Sequence, residues 1–243
     1  MKMNLPLFVQ VIGIQDPVIH FKWDDWNVEQ SDMPIDRLLK QQLQDVSHRA
    51  AAALTISTAE WVVYRFATMF EDPKPSFRLE AAWAQVVDPR YSSLSDIPLE
   101  EWRGPVRGPI GIALRRVIFA LEQAWKGHDP VWRACRASKL AEHVLPNPVP
   151  FVRWREAIIE RLRTFYPLQP EDMLGDAVPR ECMDPNYNFD SNQTEALINQ
   201  FLLNLDYKLN PFLNSPSTML EAGFVGTPYL FSQEADRKVR YNW

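Results

Sequence analysis

Only two cysteines, Cys135 and Cys182, occur in the 243 residues, which excludes a disulfide-stapled scaffold and a four-cysteine zinc site. No apolar run approaches the roughly 18 to 20 residues that a helix needs to cross a bilayer, so a transmembrane span is excluded too. Glycine is scarce, at eight residues. None of these forms a Gly-x-Gly-x-x-Gly turn after a strand, a Gly-x-Ser-x-Gly elbow or a Walker loop, which leaves dinucleotide, serine-hydrolase and P-loop chemistry without a foothold. The cysteine usage points to a reducing, cytoplasmic life, and nothing calls for a cofactor.

Proline is abundant instead, at twenty residues, well above the usual share of about 5%. The turns are therefore stiff. Nine Trp and thirteen Phe supply a large aromatic load for cores and interfaces. The N-terminal run Leu5–Ile14 has too thin a basic flank and no small-x-small site for an export signal. Its β-branched residues and the following Asp16-Pro17 make it a short strand or an extended arm.

Helical periodicity dominates from residue 32 onward. Ser31 or Asp32 caps a helix predicted over about 33 to 55, with Pro34 in its first turn. Ser57-Thr58-Ala59-Glu60 has the spacing of a capping box and starts a second helix reaching about Phe70. A third carries Phe77, Ala81, Ala84 and Val87. Stripes follow at Ile110, Leu114, Val117, Leu121 and Trp125, then from Val131 to Val144, then at Phe151, Trp154, Ile158, Leu162 and Phe165. Asn192-Gln193-Thr194-Glu195 and Ser215-Pro216 open two more. The expectation is a mostly α protein of about eight helices: a bundle-like body with the N-terminal strand or arm at 1–166, a Pro-rich connection at 167–191, and a smaller helical subdomain with its tail at 192–243.

Charge is distributed in blocks. Residues 1–100 hold 9 Lys+Arg against 14 Asp+Glu, residues 101–165 hold 12 against 6, and residues 166–243 hold 5 against 11. The basic middle has two readings: neutralisation by the acidic flanks, or a face for RNA, DNA or a nucleotide, with Arg103, Arg107, Arg115, Arg116, Arg133, Arg136, Arg153 and Arg155 as contacts. Net charge −5 favours neutralisation, because an acidic total opposes nonspecific nucleic-acid binding. Inside the block Arg103-Gly104-Pro105 and Arg107-Gly108-Pro109 repeat directly before a predicted helix. A helix N-terminus with glycines and two guanidiniums could hold an anion, although the prolines remove N–H donors.

Metal ligation is thinly supported. His128-Asp129 resembles the paired ligands of HD phosphohydrolases, with His48 as a further ligand of a metal-dependent hydrolase, but Asp129-Pro130 is explained equally well as a helix start. Asp45 and His48 would share one helix face. Cys135 could meet His128 and His143, yet it lies on an apolar stripe. Trp23 and Trp26 in Trp-Asp-Asp-Trp, with Tyr241 and Trp243 at the tail, set aromatics among charges, as interfaces do. The leading expectation is a nonenzymatic protein that acts through a protein partner, such as an accessory subunit of an assembly or a toxin-neutralising immunity protein. Nucleic-acid or nucleotide binding through 101–165 comes second.

Overall fold

A computed structural model describes residues 6–10, 13–28, 31, 33–226 and 229. The chain is all-α. Among the described residues eight α-helices pack together: α1 Arg37–Leu43, α2 His48–Arg65, α3 Lys74–Val87, α4 Gly104–Trp125, α5 Val131–Val144, α6 Val149–Phe165, α7 Thr194–Leu203 and α8 Pro216–Glu221. No strand occurs among them. The described part of the N-terminal run is an arm with a 3₁₀ turn at Leu7–Val9.

Helix α2 is the axis of the molecule. Its apolar residues lie on all sides, the pattern of a helix enclosed by others, and every one of its residues except Arg49 is buried. Helices α3, α4, α5 and α6 surround it. The capping-box reading of Ser57–Glu60 is overturned here: these residues lie inside α2, and the helix begins instead at Ser47, whose Oγ accepts from Ala50 N. The helix predicted over 33–55 is likewise two helices separated by a turn. Asp36 caps α1 by accepting from Leu38 and Leu39 N–H, so Ser31 and Pro34 both precede it. Asp32 lies outside the described residues.

A capping motif was misread because Ser, Thr and Glu have other ways to be satisfied inside a helix. Thr55 and Ser57 donate back to Ala51 and Ala53 carbonyls, a bond that short hydroxyl side chains make readily. Glu60 is fully buried and accepts from Trp83 Nε1 of α3 at 3.1 Å and from Arg180 Nη2 at 2.6 Å. Burial pushes this carboxyl up from its ordinary range, and Arg180 and Trp83 pull it back.

Residues 167–191 are built into this body. Burying the start of α2 orphans its first N–H groups, which need acceptors. Ser47, His48 and Arg49 donate their N–H to the carbonyls of Tyr166, Met173 and Leu174 at 2.9, 2.9 and 3.0 Å. Gly175 allows the approach: its φ is +72°, and a Cβ there would stand 2.5 Å from Ser47 Cβ. Further on, Cys182 and Met183 are buried in the main core, and Trp154 Nε1 donates to Met183 O at 2.8 Å. Arg161 donates to the carbonyls of Cys182, Asp184, Pro185 and Tyr187. Helix α3 faces two ways. Leu79, Ala82, Trp83 and Val86 meet the main core, while Ala81 and Ala84 join Tyr91, Ile198, Leu202, Leu205, Leu213 and Met219 in a second cluster that seats α7 and α8.

The Glu60–Arg180 pair carries a pH signature. Removing one partner of a buried ion pair typically costs about 3 to 5 kcal/mol, so Arg180→Ala should destabilise the fold by roughly that much at pH 8. Without Arg180 the folded state holds Glu60 protonated to higher pH than the unfolded chain does, so stability contributed by the neutral form is lost as pH rises. The loss relative to the native protein should therefore be smaller at pH 5 than at pH 8. Urea denaturation of both proteins at the two pH values measures it.

Candidate functional site: the arm and helix α4 corner

Two features that are about 80 residues apart in sequence meet in the fold. The N-terminal arm runs over the body, held by Arg65, which donates from Nη1 to Asp16 O and from Nη2 to Val18 O at 2.8 Å. Phe8 stacks on Trp154 with centroids 5.3 Å apart. Phe21 meets Phe66 and His143 edge-on, and His143 donates from Nε2 to Lys22 O at 2.8 Å. The arm then delivers Trp23-Asp24-Asp25-Trp26 to the start of α4.

At that start the Arg-Gly-Pro repeat is partly helix. Gly104 opens α4, so the second Arg-Gly-Pro lies within its first turns and Pro109 sits inside the helix. The helix N-terminus does receive an anion, and it is the protein's own: both oxygens of Asp25 accept from Gly104 N, at 3.1 and 3.0 Å. Asp25 Oδ1 also accepts from Trp23 Nε1 at 2.7 Å. A carboxylate at this position favours the positive end of the helix dipole. Gly108 is required by the same contact, since a Cβ there would fall 2.3 Å from Trp23 Nε1.

The outer surface of this corner is aromatic and cationic. Trp26 is 83% exposed, and the Arg103 guanidinium stacks over its ring at 4.8 Å. Arg107 lies over the buried Trp102 at 5.0 Å and reaches Asp72 at 3.9 Å. Beside Trp26 is a cleft of about 120 Å³ lined by the apolar Trp23, Trp26, Val28, Leu99, Trp102 and Ile112 and by the charged Asp25, Glu100 and Arg103. That is below the roughly 300 Å³ at which small-molecule pockets begin. It has room for one side chain.

The other arginines named from the sequence divide into three groups. Arg155 is withdrawn into the core, paired with Glu142 and packed over Phe151. Arg153 is exposed on α6. Arg115, Arg116, Arg133 and Arg136 lie on α4 and α5, where Arg115 forms a two-bond pair with Asp96 at 3.1 and 3.2 Å. Tyr241 and Trp243 lie outside the described residues. Sequence reasoning missed Asp25, Arg65, Arg161 and Arg180. The Asp25 role had a signal, an acidic residue between two tryptophans in an arm that must dock somewhere. The three arginines bond to backbone carbonyls or to a buried glutamate, for which local sequence carries none.

Among the described residues no three His, Cys, Asp or Glu side chains come together as a metal-holding group. Asp129 Oδ1 accepts from Val131 N at 2.8 Å, the helix-start role. His48 is buried, and burial lowers its pKa. Asp45 sits in the turn before α2 and pairs with Arg163 at 3.2 Å, so it does not share a helix face with His48. No helix among the described residues is long and apolar enough to cross a membrane. Compared with protein families, curated proteins and solved structures, the chain matches none.

Both thiols are free and buried, and burial pushes each up to about 12, so neither supplies a thiolate near neutral pH. Ellman's reagent at pH 7.4 should find essentially no reactive thiol in the native protein and both in guanidinium; prompt reaction without denaturant would refute the burial. A second expectation concerns the corner itself. Gly108→Ala should expel Trp23 and release Asp25 from α4, which hydrogen exchange would register as lost protection at the Gly104 amide and at residues 21–27. Protection unchanged from the native protein would show that the arm does not depend on this contact.

Proposed function

We infer that this chain is a nonenzymatic protein-binding protein that docks a partner on the corner formed by the arm and α4. The observation that carries the reading is Trp26, 83% exposed yet held under the Arg103 guanidinium. Leaving a tryptophan in water costs apolar burial, and Trp and Arg are the residues that concentrate binding energy at interfaces. The backbone that carries the ring is fixed by Asp24, whose Oδ1 accepts from Trp26 N at 2.9 Å, and the ring itself lies under Arg103, so less freedom is lost on docking. The adjoining cleft suits a single apolar side chain. Arg103 lies over the Trp26 ring, and the cleft wall also carries Asp25 and Glu100. The partner segment that fits therefore presents a single apolar side chain.

An accessory subunit of an assembly or a toxin-neutralising immunity protein would need such a surface and no reactive centre. Two free, buried cysteines suit a reducing compartment such as the cytoplasm.

The test is a photo-crosslinking amino acid placed at position 100, where the exposed Glu100 lines the cleft and Trp26 is kept, with position 209 as a control, since Leu209 is exposed in the C-terminal segment. The partner captured from position 100 is then purified and its affinity measured directly. Trp26→Ala should weaken binding by about 30-fold, the size of an interface hot spot, and Arg103→Ala should weaken it less. A partner that crosslinks equally from both positions and binds Trp26→Ala unchanged would overturn the assignment.

A further inference from the structure

The seam between α2 and the proline-rich segment contains a buried histidine. His48 is the first residue of α2 and is only 6% exposed. Its N–H and that of Arg49 make the two backbone bonds that hold Met173 and Leu174 against the helix. Nδ1 of the ring is shut off from solvent and has no hydrogen-bond partner among the described residues. A neutral ring tolerates this position, because only one of its nitrogens carries a proton. A protonated ring has two N–H donors, and the one at Nδ1 would be buried with nothing to accept it.

The surrounding charges do not reverse this. Asp129 and His128, in the turn between α4 and α5, act on the ring with opposite sign, and burial outweighs the attraction to Asp129. Asp129 also accepts from Val131 N. On α2 itself Arg49 is the next residue, and the positive end of the helix dipole opposes a further cation. Asp172 and Asp176 across the seam act on Arg49, and Asp45 in the preceding turn pairs with Arg163.

The segment facing His48 is lightly attached. Asp172, Met173 and Asp176 are exposed, Leu174 is half-buried, and full burial resumes only at Val178. Stretches with few buried side chains open locally at small cost. We propose that His48 is an acid-sensitive latch, whose protonation releases residues 172–175 from the start of α2. The released ring reaches water, so the open form takes up the proton. Ser47, Tyr166, Asp172, Gly175 and Asp176 of this seam also line a cleft of about 370 Å³, whose wall the latch holds closed. The device is independent of the partner surface at Trp26, and either can fail without the other.

The sign follows from linkage. The closed seam favours the neutral ring, so its stability is complete above the ordinary histidine range and is lost as pH falls below it. Uptake of one proton raises the opening constant by up to about tenfold per pH unit. Hydrogen exchange of the full chain at pH 7.5 and 5.5, corrected for intrinsic rates, tests this. Protection at the His48 and Arg49 amides should fall several-fold at pH 5.5 relative to Leu140, which is buried within α5. In His48→Gln, protection at residues 48 and 49 relative to Leu140 should be the same at both pH values. The proposal fails if the two amides of the native protein follow Leu140, or if His48→Gln loses protection as the native protein does. Should circular dichroism show that His48→Gln is unfolded, NMR titration of the His48 ring in the native protein decides: a midpoint below about 6.5 supports the latch, and one at or above that value overturns it.

Discussion

A carboxylate that cannot reach water sits at the centre of this protein, and the arrangement around it follows from the need to satisfy it. Glu60 lies in the middle of a helix that is enclosed on every side. An isolated buried carboxylate is prohibitively costly, so its neighbours have to include donors. Trp83 provides one from α3 and Arg180 provides another from the proline-rich segment. That one side chain therefore ties together the axial helix, a helix beside it and a segment about 120 residues downstream. A buried ion pair is weak support for overall stability compared with an apolar replacement. What the pair does is join residue 180 to the axial helix at one fixed point.

The same logic recurs at several of the non-helical segments that cross the body. Proline-rich segments lack regular backbone pairing, and their carbonyls need donors. Arginine supplies several at once from a planar fork. Arg65 holds the arm by two carbonyls, and Arg161 holds residues 182–187 by four. Arg78 takes Ser95 O at 2.9 Å, and Arg90 takes Gly223 O at 2.6 Å. Part of the arginine complement thus acts as a scaffold for loops.

Most of the fold was legible because helical periodicity survives burial on one face. The stripes Ile110–Trp125, Val131–Val144 and Phe151–Leu162 correspond to α4, α5 and α6, and Ser215 does cap α8 through Thr218 N. Boundaries went wrong where a helix is buried all round. In α2 there is no polar face to mark its extent, so Ser57–Glu60 looked like a start when it is the interior. The site was half legible. Trp23, Trp26, Arg103, Arg107 and the two glycines all stand out as residue types, yet the anion expected at the helix N-terminus turned out to be Asp25 of the same chain.

The sequence by itself determined the all-α class, the existence of most helices, the lack of an apolar run long enough to cross a membrane and the chemistry of the candidate surfaces. These depend on composition and on spacings of three and four residues, which are local quantities. Only the tertiary structure decided which charges cancel, which glycines are needed for a close approach and which of the described tryptophans stay in water. Those outcomes depend on contacts between residues far apart along the chain, such as Glu60 with Arg180 and Asp25 with Gly104, and nothing in the local spacing of either partner specifies the other.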